Sequence, residues 1–188
     1  MTVLDWIVGI TGASGSIYGL RLIETMQELG MCPHLVVSEA GERVLREETG
    51  KSLAEVAAGC RLHDVRDVGA AIASGSFPAA GMIVIPCSMH TVAAMALGLA
   101  DNLLTRAADV TLKEGRPLIV VPRETPLHLI HLENLRRLAQ AGARIVPAMP
   151  AFYHRPTTMI ELVDFVVGKV LDQAGITHQL FKRWGETE

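Results

Sequence analysis

The sequence predicts an α/β fold in which a doubly wound parallel sheet is covered by helices on both faces, giving three layers. Two observations support this prediction. Short apolar runs alternate with longer amphipathic stretches, and the runs are apolar at almost every position. Strands buried on both faces have this composition, and helices join them by right-handed crossovers. The length of 188 residues suits one domain, so we expect a single unit over residues 1–188.

Five strands are predicted from the apolar runs. The first, WIVGI, precedes a turn rich in glycine, and the second lies within HLVVS. The third and fourth, MIVI and LIVV, are wholly apolar, and the fifth is ARIV. We expect the strands over residues 6–10, 35–37, 82–85, 118–121 and 143–146.

The stretches between the strands have the apolar spacing of helices. The first helix is expected to end at Gly30, a residue type that commonly follows a helix C-terminus. Residues 62–80 are expected to form a linker with a flexible turn, ASGS, at 73–76. We expect the helices over residues 16–29, 40–48, 52–58, 91–97, 102–113, 127–141 and 158–174.

The composition excludes several classes of protein. Lys and Arg number 17 against 20 Asp and Glu, and 49% of residues are hydrophobic, which argues against disorder and nucleic-acid binding. The longest segment without a polar side chain has nine residues, 92–100. A membrane-spanning helix needs about 20 residues, so no membrane insertion is expected. The sequence before Trp6 lacks a signal-peptide pattern and the three cysteines lack CxxC spacing, which favours a cytoplasmic protein with reduced thiols.

The loops that follow the predicted strands contain most of the unusual residues. In a doubly wound sheet, ligands lie beyond the carboxyl ends of the strands, where the winding direction reverses. We therefore expect these loops to line one crevice. They are residues 11–15, 38, 86–91, 122–126 and 147–153.

Residues 9–15, GITGASG, place small residues between a strand and a helix N-terminus, where free amides and the helix dipole favour a phosphate. The glycine spacing does not fit the GxGxxG dinucleotide fingerprint. A close strand-to-helix turn without a ligand is the alternative interpretation. Ser88 similarly suits a helix N-cap, a ligand contact or both.

Several charged residues near the fourth strand have two interpretations. Individually, Arg106, Lys113, Arg123 and Lys169 are typical of a solvated surface. However, Arg123 and Glu124 lie between two prolines at a strand end, where a charged pair is costly unless it meets a polar ligand. The sequence contains no acidic cluster and no ligand spacing that predicts a metal site.

Together these motifs resemble those of the flavin prenyltransferases of the UbiX type, a family also described as phenylacrylic acid decarboxylases. The resemblance extends from about residue 5 to Trp184. Its most specific motifs are GITGASG at 9–15, ASGSF at 73–77, PCSMHT at 86–91, DNLLTRAADVTLKE at 101–114, VPRETPL at 121–127, IHLEN at 130–134 and PAFY at 150–153.

The resemblance implies a flavodoxin-like or Rossmann-like domain that binds FMN and no metal. It implies that dimethylallyl phosphate alkylates reduced FMN at N5 and C6 and that inorganic phosphate leaves. The product, prenylated FMN, is then expected to pass to a UbiD-type decarboxylase of aromatic or unsaturated acids. The resemblance also implies a homododecamer with its active site at a subunit interface, in which residues 175–188 pack on a neighbouring subunit.

The resemblance assigns roles to individual residues. Ser14 and Glu48 are expected to assist the chemistry near flavin N5, and Glu124 to act on the departing phosphate or on a proton removed later. The residues expected to bind FMN are Gly12, Ala13, Ser14, Ser38, Ser88, Met89, His90, Thr91 and Arg123. The residues expected to bind or cover the prenyl donor are Ser74, Arg106, Lys113, Arg123, Tyr153, Lys169 and Trp184.

Two positions depart from the family pattern, and two other functions stay open. Lys169 stands where the family usually has arginine, which replaces a bidentate fork by a point charge, and Val68 stands where some relatives have tryptophan. A carrier subunit that binds FMN for a decarboxylase would not need the donor-phosphate residues. A direct FMN-dependent decarboxylase would carry a Pro-x-Met-Asn-x-x-Met motif, which is missing. The sequence does not distinguish a monophosphate from a pyrophosphate donor.

Overall fold

The computed structural model describes residues 5–185. Residues 1–4, and residues 186–188 of the segment expected to pack on a neighbouring subunit, lie outside the described residues. The strands are β1 (Trp6–Ile10), β2 (His34–Val37), β3 (Arg61–His63), β4 (Gly81–Cys87), β5 (Leu118–Pro122) and β6 (Arg144–Ile145). They form one sheet in the order β3-β2-β1-β4-β5-β6, and every neighbouring pair is parallel. The helices are α1 (Ser16–Glu28), α2 (Glu39–Thr49), α3 (Leu53–Val56), α4 (Met89–Ala96), α5 (Leu103–Lys113), α6 (Leu129–Gln140) and α7 (Met159–Ala174).

The alternation of side chains along the strands builds two hydrophobic cores. On β1, Trp6, Val8 and Ile10 pack in the core that contains α1 and α7, whereas Ile7 packs in the core that contains α4, α5 and α6. All four side chains are at most 5% exposed. Both faces of the strand are therefore buried, which explains why the strand is apolar throughout. The predicted three-layer, doubly wound α/β fold is confirmed.

β3 lies largely inside the segment that was expected to be a linker. Its sequence is Arg-Leu-His, and Leu62 is 45% exposed. β3 is an edge strand that pairs only with β2, so it is held by backbone hydrogen bonds and does not need an apolar run. For this reason hydrophobic periodicity does not mark it.

β4 is longer than the apolar run MIVI. It continues through Pro86 and Cys87, which were expected in the following loop, because Cys87 pairs with Pro122 of β5 after a shift in register. The connection from β4 to α4 is therefore reduced to Ser88, and α4 begins at Met89 rather than at residue 91. The other predicted helices agree with the structure apart from shifts at their ends.

Thr11 joins the carboxyl ends of β1 and β4, the neighbouring strands at which the winding reverses. Its side chain is buried, at 1% exposure. The hydroxyl donates to the carbonyl oxygen of Pro86 at 3.0 Å and accepts from the backbone N–H of Ser88 at 2.7 Å. This one hydroxyl therefore fixes the two loops that form the floor of the crevice.

Replacing Thr11 by valine keeps the side-chain shape but leaves the buried N–H of Ser88 without this acceptor. We expect Thr11→Val to lower the free energy of unfolding by about 1–3 kcal/mol. Thr11→Ser retains the hydroxyl and serves as the control, with a smaller expected loss. Denaturant unfolding of both variants measures the difference, and a valine variant as stable as the wild type would contradict the assigned role.

Candidate active site

A carboxylate from α2 holds the N-terminus of α1. Gly15 precedes the helix with φ of 106°, a left-handed conformation that glycine adopts without strain. Glu48 accepts the backbone N–H of Gly15 at 3.0 Å and that of Ser16 at 2.8 Å. A phosphate was expected at such amides, but the carboxylate takes that place at these two groups.

These contacts keep Glu48 ionised. Partial burial raises the pKa of Glu48, but hydrogen bonds from the Ser14 side chain and from the backbone N–H groups of Ser16 and Gly15 outweigh it, so the net pKa lies below the ordinary value. The Ser14 side chain thus lies beside a carboxylate that is charged at neutral pH. A hydroxyl beside an ionised acceptor is suited to passing on a proton.

Arg123, in the loop after β5, contacts the loop after β1 and the last residue of β4. The Arg123 Nε donates to the carbonyl oxygen of Ser14 at 2.8 Å. The backbone N–H of Arg123 donates to the carbonyl oxygen of Cys87 at 3.3 Å. No acceptor within residues 5–185 forms a hydrogen bond with its two Nη groups. A guanidinium anchored through Nε with both Nη groups available is suited to bidentate binding of a phosphate.

The loops after β2 and β4 present N-cap serines. Ser38 Oγ accepts the backbone N–H of Gly41 at 3.0 Å, and Ser88 Oγ accepts that of Thr91 at 3.3 Å. The N-cap interpretation of Ser88 is therefore confirmed, and its contact with a ligand stays a prediction. Met89 is only 6% exposed and packs in the core, whereas His90 is exposed.

Ser74 and Lys113 lie at the opposite, amino edge of the sheet. Ser74 belongs to the loop before β4, and Lys113 is the last residue of α5, before β5. A Cβ on Gly75 would lie 2.7 Å from Lys113 Nζ, so the loop packs directly against the lysine. In this chain Lys113 forms an ion pair with Glu114.

Arg116 anchors the same loop, and no sequence motif marks it. Its two Nη groups donate to the carbonyl oxygens of Phe77 at 2.7 Å and Gly75 at 2.8 Å. The five residues of β5 separate this edge from the carboxyl edge by roughly 16 Å. Lys113 and Arg123 of a single chain therefore do not meet at one phosphate.

Tyr153, Lys169 and Trp184 form a third group beside α7. The ring centroids of Tyr153 and Trp184 are 5.3 Å apart, and the Tyr153 hydroxyl donates to the carbonyl oxygen of Lys182 at 3.4 Å. Lys169 lines a cavity of about 550 Å³ between β6 and α7. The structure thus places a cation and two aromatic rings close to the C-terminal segment.

Two of the predicted site residues make only local contacts. Arg106 pairs with Asp109 on the surface of α5 at 3.2 Å and joins none of the three groups. Glu124 is exposed and accepts the backbone N–H of Thr125 at 2.9 Å. Because Glu124 directly follows Arg123, it belongs to the carboxyl-edge group.

A second cavity, of about 530 Å³, adjoins the Ser14–Glu48 pair. Apolar side chains of α1 and the start of α7, including Ile17, Leu20 and Ile160, line the rest of it. Such a space accommodates a small apolar group next to a polar relay. Within residues 5–185, His, Cys, Asp and Glu form no group of three suited to a metal, and no helix has the length and apolarity to cross a membrane.

The chain is similar to known flavoproteins over nearly its whole length. The family model described as Flavoprotein matches residues 1–183. Flavin prenyltransferase UbiX of Halalkalibacterium halodurans is 53% identical over 199 aligned positions, covering 99% of this chain and 97% of that protein.

Two solved structures agree with this. AnUbiX (PadA1), in complex with FMN and dimethylallyl pyrophosphate, has a TM-score of 0.95 and 41% identity, covering 98% of this chain and 99% of that one. A dodecameric FMN-dependent UbiX-like decarboxylase from Escherichia coli O157:H7 has a TM-score of 0.94 and 47% identity. The match covers 97% of this chain and 100% of that one.

Glu48→Gln tests the carboxylate at the N-terminus of α1. We expect a loss of stability on the order of 1 kcal/mol at pH 7, reduced by solvent screening because the side chain is largely exposed. The folded-state pKa is lowered, so the stabilisation is complete above the ordinary pKa of 4.5 and is lost as the pH falls through the folded-state value. Denaturant unfolding at pH 7 and at decreasing pH measures it, with Glu47→Gln on the same helix as the control. A difference from wild type that grows on acidification would contradict this account.

Proposed function

Because the chain belongs to the UbiX family of flavin prenyltransferases, we propose that it transfers a dimethylallyl group from dimethylallyl phosphate to N5 and C6 of reduced FMN. Inorganic phosphate leaves, and prenylated FMN is the product. The contact between Arg123 and Ser14 carries the proposal. It supports a site in which Arg123 provides a cation for the phosphate close to Ser14 and Glu48, with Glu124 next to Arg123 in the chain.

The residues at the winding reversal fit FMN. The main chain of Gly12 to Ser14 and the hydroxyls of Ser38 and Ser88 supply amide and hydroxyl groups at strand ends and helix starts. Such groups hold phosphate esters and ring carbonyls. Bound FMN supplies the ring atoms that are alkylated, and the protein binds and orients it.

In this proposal the donor phosphate is bound by residues from two copies of the chain. Arg123 lies at the carboxyl edge of the sheet and Lys113, with Ser74, at the amino edge. The distance across β5 supports a site in which Lys113 of one copy faces Arg123 of another. The dodecameric relative from Escherichia coli supports an assembly of this kind. Together the cations stabilise the charge that develops on the departing phosphate, without a metal.

Tyr153, Lys169 and Trp184 complete the donor site in this proposal. Lys169 supplies a further positive charge and Tyr153 a hydroxyl for the phosphate. The Trp184 ring is 82% exposed in the single chain, which supports its use as a cover over the donor in the assembly. A covered apolar site protects the allylic fragment from water.

Ser14, Glu48 and Glu124 carry the proton transfers. In this proposal the Ser14 oxygen accepts a proton from N5 of the flavin while the Ser14 proton passes to the ionised carboxylate of Glu48. Glu124, exposed beside Arg123, acts in this proposal on the departing phosphate or on the proton removed later. We further propose that the enzyme works in the cytoplasm, which its three free cysteines support, and that a UbiD-type decarboxylase receives the product.

The test is anaerobic incubation with reduced FMN and dimethylallyl phosphate, followed by mass measurement of the extracted flavin. We expect flavin heavier by one C5H8 unit from the wild type. Glu124→Gln should form it at least about 10²-fold more slowly, because it removes the carboxyl group that takes part in a proton transfer. Glu133→Gln removes an exposed carboxylate paired with Arg136 on α6 and is the control, with an expected rate equal to wild type.

If FMN stays tightly bound but unmodified with both dimethylallyl phosphate and dimethylallyl pyrophosphate, the transferase function is contradicted and the carrier function is favoured. Flavin that is modified with dimethylallyl pyrophosphate but not with dimethylallyl phosphate would identify the pyrophosphate as the donor. Carbon dioxide released from an aromatic acid by the FMN-bound protein, without flavin modification, would instead indicate a direct decarboxylase.

A further inference from the structure

Asp172, near the end of α7, binds the C-terminal segment, residues 176–185, through Arg183. Asp172 Oδ1 accepts from Arg183 Nη2 at 2.8 Å, and Oδ2 accepts from Nη1 at 3.2 Å. Two parallel hydrogen bonds of this kind fix the orientation of both groups. Hydrogen bonds from Arg183 lower the pKa of Asp172, although burial opposes them, so the carboxylate is charged at neutral pH.

His178 adds a third hydrogen bond to the same carboxylate. Its side chain is 1% exposed. Nδ1 accepts the backbone N–H of Leu180 at 3.2 Å, so the neutral ring carries its proton on Nε2. Nε2 then donates to Asp172 Oδ1 at 3.2 Å. The carboxylate is thus bound to two different residues of the C-terminal segment.

Lys169 lies on the same helix, one turn before Asp172. Its Nζ is 3.6 Å from Asp172 Oδ2, which is too long for a strong hydrogen bond, and its side chain is 46% exposed. Arg183 already balances the charge of the carboxylate. Lys169 therefore lies beside Asp172 without a hydrogen bond to it, and its ammonium group keeps hydrogen-bond donors for an anion.

The C-terminal segment packs tightly against α7 beside Lys169. A Cβ on Gly168 would lie 2.5 Å from the Phe181 ring and 2.7 Å from His178, so only glycine allows this approach. The Phe181 ring also contacts Phe165, with centroids 4.9 Å apart. These contacts therefore hold the segment, which carries Trp184 three residues further along, against α7 next to Lys169.

We propose that Asp172 is a positioning residue for the donor: it fixes the segment that carries Trp184 on α7, beside the Lys169 ammonium group. This inference rests on the proposed function, in which Lys169 and Trp184 contact dimethylallyl phosphate. A purely electrostatic effect predicts the opposite result, because removing a carboxylate near a phosphate strengthens phosphate binding. The sign of the change in affinity therefore distinguishes positioning from simple charge.

The experiment compares Asp172→Asn with wild type in the assembled protein loaded with oxidised FMN, so that the donor binds without turnover. Calorimetry with dimethylallyl phosphate should give a Kd at least about tenfold higher for the variant, with FMN retention unchanged. Hydrogen exchange of residues 176–185 should become faster. With reduced FMN, the KM for the donor should rise more than kcat falls. Asp164→Asn is the control, since its carboxylate lies on the same helix but pairs with Arg21 of α1 at 2.6 Å.

If Asp172→Asn binds the donor as tightly as wild type or more tightly, this inference is overturned while the proposed function stands. Unchanged hydrogen exchange in the C-terminal segment, or an equal loss of donor affinity in Asp164→Asn, would also overturn this inference. A wild type that binds no dimethylallyl phosphate would overturn the proposed function and this inference with it.

Discussion

The parallel direction of all the strands in the described sheet determines where each functional group lies. Every loop that follows a strand reaches the carboxyl edge, and every loop that precedes one reaches the amino edge. Arg123 follows β5 and Lys113 precedes it, so the length of one five-residue strand sets their separation at roughly 16 Å. In the function we propose, a single chain therefore contributes two separate parts of a phosphate site, and a second copy supplies the part that each lacks.

Local interactions then shape each part. At the carboxyl edge, the buried hydroxyl of Thr11 ties the loops of β1 and β4, and Arg123 ties the loop of β5 to Ser14. The N-terminus of α1 stabilises the charge of Glu48, so this helix end maintains an ionised proton acceptor rather than meeting a phosphate at Gly15 and Ser16. At the amino edge, Arg116 fastens the loop that packs against Lys113.

Much of the fold is predictable from the sequence because most strands are buried on both faces, which leaves continuous apolar runs. Hydrophobic periodicity does not predict β3, because this edge strand is held by backbone hydrogen bonds and contains one apolar residue. The family, the FMN cofactor and the prenyltransferase function expected from the motifs agree with the similarity to UbiX proteins, and the individual FMN-binding residues stay predictions. The sequence does not show the separation of Lys113 and Arg123, because that separation depends on the direction and length of β5. Asp172 and Arg116 lie in no recognised motif. Their roles are identified only from the hydrogen bonds that they form with the C-terminal segment and with the loop before β4.

Mixing two variants shows whether two copies of the chain form each donor site. Lys113→Ala and Arg123→Gln are each expected to be inactive alone. Mixed oligomers in equal proportion should regain up to about a quarter of wild-type prenyl transfer, because some sites then combine an intact Lys113 with an intact Arg123 from different chains. Mixed oligomers that form but stay inactive would contradict a donor site formed by two copies, since both residues would then have to belong to the same chain.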